Sequence, residues 1–475
     1  MSNSTIGLIG LAVMGANLAR NFAAHGVKVI VNNRTKQKVE DFVTKYKSEN
    51  IEAAYTLEDL ISKLPRPRKI ILMVKAGKPV DEILDKLVLL LDEGDIVVDC
   101  GNSFYKETNS RFERLIQYNI HFVGCGVSGG EEGALTGPSL MPGGTKEVWE
   151  MNLKKDFEAI AADDFGKGKC VSLIGDKGAG HYVKMVHNGI EYGVMQIMAE
   201  AYSLLNNLYQ LKPDDISRVF AQYNQGKLKS YLFEIAIEVL LKKDELTEGF
   251  LIDKILDKAG SKGTGMWTSV DALERGIPVQ TITSAVLARY ISSQKQQREA
   301  LSKKIGTNRQ SLGLPGIEEF VDGLEKALFI AILSSYTQGF ELINSASKQD
   351  GWDVDFAEIA RIWQGGCIIR AEILKVIENS FRKSGGYINL FEVGNKDWDL
   401  LANISALREV AGNAVKSGVP IPAMYSSLEY FESMSSDRMS ANFIQGLRDY
   451  FGAHTYERVD RAGVFHTEWK ENSNT

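Results

Sequence analysis

The chain has 475 residues, 44% apolar and 24% charged, with a formal net charge of −6. That length exceeds one ordinary hydrophobic core and predicts two or three domains, while the acidic balance argues against a general nucleic-acid binder. The four scattered cysteines (Cys100, Cys125, Cys170, Cys367) form no Cys-x-x-Cys pair, and no signal peptide or membrane-length apolar run is read, so a reducing, cytoplasmic setting is expected.

Residues 5–31 read as strand (Ile6–Ile9), tight turn, helix (Ala16–His25, closed by Gly26) and strand (Val27–Val31). The turn, Gly10-Leu11-Ala12-Val13-Met14-Gly15, has the Gly-x-Gly-x-x-Gly spacing of a dinucleotide-binding loop, with alanine at the second glycine position. The first glycine allows the sharp turn, and the helix N-terminus behind it favours pyrophosphate charge. Alanine in the middle pushes the pyrophosphate slightly away, and a glycine turn without a ligand is the plain alternative. The second strand ends in Asn32-Asn33-Arg34-Thr35. An NAD enzyme usually has a carboxylate there for the ribose hydroxyl. Here nothing repels a 2′-phosphate, and an arginine with a hydroxyl and an amide can bind one, so NADP is expected over NAD. A solvated turn with a surface arginine is the bland alternative.

Further strands are read at Lys69–Val74, Ile96–Cys100 and His121–Gly124, with helical patterns between them. They predict a mostly parallel, doubly wound sheet. Val74-Lys75-Ala76 and Gly101-Asn102-Ser103 then lie at its carboxyl edge, where such sheets bind ligands. Next comes Ser128-Gly129-Gly130, whose backbone N–H groups can hold a carboxylate with the hydroxyl as a third donor; a flexible loop fits equally well.

Lys184, His187, Asn188 and Glu191 stand at i, i+3, i+4 and i+7 of a predicted helix and so share one face. Met185, Val186, Ile190, Val194 and Ile197 supply a separate apolar stripe, which leaves the polar face free for chemistry. His187 and Glu191 have the spacing of metal ligands. Lys184 on the same face would repel a cation and no third ligand is apparent, so no metal is expected.

Residues 181–435 read as helical throughout, with long apolar periodicities over Leu324–Leu342 and Trp352–Glu378 and loops at Gly313–Gly316 and Lys383–Tyr387. From about Ser436 the chain becomes locally basic, with Arg438, Arg448, His454, Arg458, Arg461 and His466 among aromatics. The expected division is a dinucleotide-binding domain over 1–177, an all-helical domain over 178–435 and a tail over 436–475. The fold class is an α/β Rossmann-type domain followed by a large all-α domain and a C-terminal tail.

The order of Gly-x-Ala-x-x-Gly, Ser128-Gly129-Gly130 and Gly180-x-x-x-Lys184-x-x-x-Asn188 resembles the β-hydroxyacid dehydrogenases. Two features are similar to the decarboxylating 6-phosphogluconate dehydrogenases in particular. One is Ile255-x-Asp257-x-x-Gly260-Ser261-Lys262-Gly263-Thr264-Gly265-x-Trp267; the other is the length, since generic members lack counterparts of residues from about 310 to 475. The resemblance covers essentially the whole chain. It implies oxidative decarboxylation of 6-phosphogluconate in the pentose phosphate pathway, with NADP as cofactor. Lys184 would be the base and then the polarising acid, and Glu191 would deliver the final proton. Asn102, Ser128, Gly129, Gly130, His187 and Asn188 would hold the substrate, and Asn102 also the cofactor. Tyr192, Lys262, Thr264 and Arg289 would bind the phosphate. Met266 stands where relatives often have lysine, which lowers the local charge by one. The resemblance further implies a homodimer in which the tail, through Arg448 and His454, completes the partner's phosphate site.

For this chemistry Lys184 must act as a base. At the unperturbed lysine pKa of about 10.4, about one molecule in 2,500 is neutral at pH 7, so the site is expected to depress it. Two rival readings are a non-decarboxylating dehydrogenase of smaller acids and a silent NADP-binding scaffold. The Lys262-Gly263-Thr264-Gly265 run and the basic tail argue against the first, and the intact Lys184, Asn188 and Glu191 set against the second.

Overall fold

The protein is described by a computed structural model covering residues 4–470, apart from 165, 307–312 and 394–397. It divides into two compact units, Met1–Leu428 and Glu429–Thr475. No helix among the described residues is long and apolar enough to cross a membrane.

The first unit begins with strands β1 (Thr5–Ile9), β2 (Lys28–Asn32), β3 (Ile51–Ala53), β4 (Lys69–Leu72), β5 (Ile96–Asp99), β6 (His121–Ser128) and β7 (Ser139–Gly143). They form one sheet in the order β3-β2-β1-β4-β5-β6-β7, parallel except for the antiparallel β6–β7 pair. The strands are apolar runs because both faces are covered, as a doubly wound sheet requires. Leu8, Val31, Ile71 and Val98 face one core, with Leu18 and Phe22 of helix α1 (Val13–Ala24). Their neighbours Ile9, Ile30, Leu72 and Val97 face the other, with Leu84 and Leu115.

The crossovers after α1 are α2 (Lys36–Lys45), α3 (Leu57–Ser62), α4 (Lys78–Leu87) and α5 (Tyr105–Ile116), and α6 (Gly130–Thr136) joins the antiparallel pair β6–β7. Two short helices, α7 (Lys146–Val148) and α8 (Lys154–Ile160), flank a π-helical turn. The mostly parallel sheet matches the expectation, with four differences. Helix α1 starts at Val13, so Gly15 lies inside it and not before it. Strands β4 and β5 stop at Leu72 and Asp99, which frees residues 73–77 and 100–104 as loops. Strand β6 runs on to Ser128, making that residue the last of a strand. Strands β3 and β7 carry little sequence signal: β3 has three residues, and β7 is an edge strand containing Pro142 and Gly143.

The helical part opens with the 31-residue α9 (Ala179–Tyr209). It continues with α10 (Pro213–Tyr223), α11 (Tyr231–Leu241), α12 (Thr264–Arg275), α13 (Gln280–Ser293), α14 (Lys295–Ile305) and the 34-residue α15 (Ile317–Asp350). Helix α9 is the central element, packing on α12, α13 and α15 as well as on β6 and β7. The periodic stretch Trp352–Glu378 is broken into α16 (Phe356–Ile362) and α17 (Ile373–Ser384). Gly365 and Gly366 cause the break: Gly366 has φ +60°, and a Cβ there would lie 2.3 Å from the Gly137 carbonyl oxygen. The resulting loop brings Cys367 against α9.

Candidate active site

The carboxyl edge of β1, β2 and β4 surrounds a cavity of about 510 Å³ lined by Gly10, Ala12, Asn33, Arg34, Thr35, Val74 and Lys75. Gly10 adopts φ +110°, and a Cβ on it would sit 2.4 Å from the Met73 carbonyl oxygen, so the turn demands glycine. The Leu11 N–H donates to Asn33 Oδ1 at 3.1 Å, tying this turn to the loop after β2. Ala12 caps α1 without a side-chain hydrogen bond, which leaves the first amides of the helix available to an anion. Leu11 and Ala76 of the same loops, and Val13, Met14 and Gly15 of the first turn of α1, do not line the cavity. Lys38 and Lys86 do line it and were not singled out from the sequence. The usable signal for Lys38 was its place one helical turn beyond Arg34 and Thr35, on the same side.

Helix α9 lies almost in backbone contact with the sheet. A Cβ on Gly180 would meet the Met141 carbonyl oxygen at 2.2 Å, and one on Gly126 would meet Lys184 Cβ at 2.4 Å. The polar face of α9 is therefore buried, contrary to the expectation that it is free of packing: Lys184, His187 and Asn188 are 6%, 0% and 9% exposed. The four side chains do converge. Lys184 Nζ lies 3.3 Å from His187 Nδ1, which is 3.1 Å from Asn188 Oδ1 and 3.9 Å from Glu191 Oε2. His187 Nε2 is 3.0 Å from Ser128 Oγ and 2.8 Å from Cys367 Sγ.

Burial, and then the charge of Lys184, push the His187 pKa well below the usual histidine value, so the ring is neutral. Ser128 and Cys367 both carry a hydrogen to donate, whereas Asn188 Oδ1 only accepts. The single ring hydrogen therefore belongs on Nδ1 when Lys184 is neutral, since a Lys184 ammonium 3.3 Å away would itself donate there. Burial also lowers the Lys184 pKa, with Glu191 and Cys367 opposing, which is the depression a lysine base needs. Burial raises Glu191, held back by Lys184, Arg289 and Lys262. The two groups are thus moved toward each other in proton affinity.

Asn102, Ser103, His181, Lys184, Met185, Asn188, Thr264 and Trp267 line one cleft, so Asn102 and Thr264 join residues of α9. Ser128 ends β6 with its hydroxyl against His187, and Gly129 and Gly130 turn the chain into α6 with φ +136° and +63°. On the next turns of α9 the Tyr192 hydroxyl is 3.3 Å from Ser261 Oγ, and the Arg289 guanidinium stacks 3.5 Å from the Tyr192 ring. Lys262 is exposed beside them. Arg448 and His454 belong to the Glu429–Thr475 unit. There both are exposed, Arg448 donating to Gln445 Oε1 at 3.0 Å and His454 packing edge-on to Phe451. Cys367 was noted in the sequence without a role; only the loop between α16 and α17 reveals it as a neighbour of His187. Among the described residues no group of three or more His, Cys, Asp or Glu could hold a metal ion.

Residues 5–175 match the NAD binding domain of 6-phosphogluconate dehydrogenase, and residues 180–469 match the C-terminal domain of 6-phosphogluconate dehydrogenase. The chain is 46% identical over 469 residues to the NADP(+)-dependent, decarboxylating 6-phosphogluconate dehydrogenase of Bacillus subtilis, covering 99% of this chain and 100% of the relative. It is 46% identical over 466 residues to the decarboxylating enzyme of Staphylococcus aureus, covering 98% of this chain and 99% of that one. The solved Plasmodium falciparum 6-phosphogluconate dehydrogenase superposes with a TM-score of 0.94 at 41% identity, covering 98% of this chain and 100% of its own. That protein is described in its apo form, with its cofactor NADP+ and with its substrate 6-phosphogluconate. The chain therefore belongs to the 6-phosphogluconate dehydrogenase family.

Proposed function

We propose that the protein catalyses the oxidative decarboxylation of 6-phospho-D-gluconate to D-ribulose 5-phosphate and CO₂ with reduction of NADP. The observation that carries this reading is the buried Lys184, its proton affinity lowered by desolvation, in one cleft with Asn102, Asn188 and Thr264.

NADP, when bound along the carboxyl edge of the sheet, accepts the hydride. The α1 N-terminus and the Gly10 turn suit its pyrophosphate, and Arg34 with Thr35 and Lys38 suits a 2′-phosphate. Neutral Lys184 takes the proton of the substrate 3-hydroxyl as the hydride leaves C3. Its ammonium then gives that proton to the new C3 carbonyl oxygen as the C1 carboxylate departs as CO₂, leaving an enediol across C2 and C3. Glu191, its pKa raised by burial, gives its proton to the enediol carbon that carried the carboxylate, as Lys184 takes back the proton of the enediol hydroxyl. His187 and Asn188 orient the base and the substrate hydroxyls, and the Ser128-Gly129-Gly130 turn faces the carboxylate. Tyr192, Lys262, Thr264 and Arg289 take the distal phosphate.

The active unit is a homodimer in which the Glu429–Thr475 segment completes the partner's site through Arg448 and His454. Its support is the exposure of Phe443, Ile444, Leu447, Tyr450 and Phe451 on the helix Ala441–Gly452, a run of apolar side chains that calls for a covering surface. Four free, buried cysteines suit the cytoplasm.

The test is absorbance at 340 nm with 6-phosphogluconate and NADP or NAD, with CO₂ assayed in parallel. Equal amounts of reduced NADP and CO₂ are expected. Reduction without CO₂ would shift the reading to a non-decarboxylating dehydrogenase, and NADPH binding without turnover to a scaffold.

A further inference from the structure

Asp99 ends β5 and is fully buried. Its Oδ1 accepts the Gly101 N–H at 2.9 Å and its Oδ2 accepts the Ser103 hydroxyl at 2.6 Å. These two bonds close a turn around Asn102, which is left exposed and lines the cleft with Lys184 and Asn188. A buried carboxylate needs compensating charge. Arg111 of α5, 3% exposed, brings Nη1 to 3.8 Å from Asp99 Oδ2, and this nitrogen makes no hydrogen bond to the described residues. Its other nitrogens are engaged by the Asp81 carboxylate at 2.7 and 3.0 Å, Glu107 at 3.1 Å and the Gly77 carbonyl at 3.3 Å.

Gly77 directly follows Val74-Lys75-Ala76, so one guanidinium reaches both loops at the carboxyl edge of β4 and β5. The loops are themselves in near contact, since a Cβ on Gly101 would sit 3.1 Å from the Val74 carbonyl oxygen. One turn earlier on α5, Thr108 Oγ1 is 2.7 Å from His181 Nδ1. His181 precedes Lys184 by one turn of α9. Helix α5 thus touches the loop carrying Asn102 and the helix carrying Lys184 through two residues on its same face.

We infer that Asp99 is a positioning residue, which through Gly101 and Ser103 sets Asn102 against Lys184, with Arg111 as its counter-charge. This rests on the proposed function, because it concerns how Asn102 is presented to the reacting groups. Neither Asp99 nor Arg111 lines either ligand cavity; Asp99 acts through the Gly101 N–H and the Ser103 hydroxyl, and Arg111 through Asp99 and the Gly77 carbonyl.

The experiment compares full-length wild type, Asp99→Asn, Asn102→Ala and the double variant. Wild-type turnover with 6-phosphogluconate and NADP first establishes the reaction itself. Asp99→Asn is expected to lower kcat/KM on the order of 100-fold, the effect of a small misplacement at a reacting centre. The double variant should be within about twofold of Asn102→Ala, since both act on one element. The deuterium isotope effect on kcat/KM with 3-deuterated substrate should rise in Asp99→Asn. A mere loss of folded enzyme would leave that ratio unchanged. If Asp99→Asn does not fold, the Ser103 pair decides: Ser103→Ala should lose about fivefold for one hydrogen bond, and Ser103→Thr should restore most of it.

Multiplying effects of Asp99→Asn and Asn102→Ala, an unchanged isotope effect, or a neutral Ser103→Ala would overturn the inference. If the wild type does not turn over, the proposed function fails. The same variants are then read by NADPH affinity, where non-additive losses support the positioning role and additive ones refute it.

Discussion

Gly126 of β6 and Lys184 of α9 approach so closely that a Cβ at position 126 would lie 2.4 Å from Lys184 Cβ. The glycine lets the lysine stem rise directly off the sheet into a buried site. Gly180 does the same one turn earlier, against the Met141 and Gly124 carbonyl oxygens. Close packing at these two points holds the lysine stem against the sheet. Gly126→Ala should push α9 outward, costing about 1–3 kcal/mol of stability through overpacking and on the order of 100-fold in kcat. NADPH affinity, measured by fluorescence titration, should remain near wild type because the cavity around Arg34 is untouched.

In its proposed role as base, Lys184 must be neutral. Burial lowers its pKa, so the acid limb of the kcat/KM profile should rise with an apparent pKa below the ordinary lysine value of 10.5. Lys184→Met should abolish NADPH formation and CO₂ release together, a loss of at least about 100-fold. The stability effect has a definite sign. A lysine with a depressed folded-state pKa contributes stability above its unfolded value and loses it as pH falls through the folded one. Lys184→Met should therefore melt higher than wild type at neutral pH, with the gap closing toward pH 10.5.

Arg34 and Lys38 line the same wall of the cofactor cavity. Arg34→Ala should raise KM for NADP about 10- to 100-fold, the equivalent of one lost charge-assisted contact to phosphate. KM for NAD should change little, because NAD lacks the 2′-phosphate. Equal losses with both cofactors would move Arg34 away from that phosphate.

Glu200, two and a half turns beyond Glu191 on α9, is 2% exposed. Its carboxyl oxygens accept the N–H groups of Ala423 and Met424 at 2.8 and 2.9 Å, at the start of the helix Pro422–Met434. Burial nevertheless raises its pKa from 4.5 to about 7, against those bonds and the Gln196 amide. A raised folded-state pKa means stability fully present below pH 4.5 and lost as pH rises through about 7. The change amounts to about 3 kcal/mol. Thermal midpoints of wild type should fall over this window, and Glu200→Gln should flatten the fall.

Complementation tests the shared site. Lys184→Met and Arg448→Ala homodimers should each be nearly inactive. After subunit exchange, the mixed dimer contains one site with an intact lysine and an intact tail, so about a quarter of wild-type activity should return. No recovery, with exchange verified, would leave each protomer's site complete in itself.

Much of the dinucleotide-binding sheet was legible because its strands are apolar runs separated by helical patterns, and both signals are local. Strand β7 was not, since Pro142 and Gly143 carry no strand preference and only the antiparallel partner β6 makes them one. The break between α16 and α17 was hidden for a similar reason. Apolar periodicity continues across Gly365-Gly366, and it is the positive φ of Gly366, at a point where the Gly137 carbonyl leaves no room for a side chain, that ends the helix.

The spacing of Lys184, His187, Asn188 and Glu191 is a covalent fact, and helical geometry alone puts them on one face. So is the Gly10–Gly15 turn, where φ at Gly10 leaves no other residue possible. Whether that face looks into water or into a dry cleft depends on elements far away in the chain. The end of β6, the loop holding Cys367 and the Asn102 turn close over α9, and their burial moves the pKa values of Lys184, His187 and Glu191. Proton affinity is a property of surroundings, so candidate residues could be named from the sequence, but the environment that shifts their pKa values was decided only by the fold.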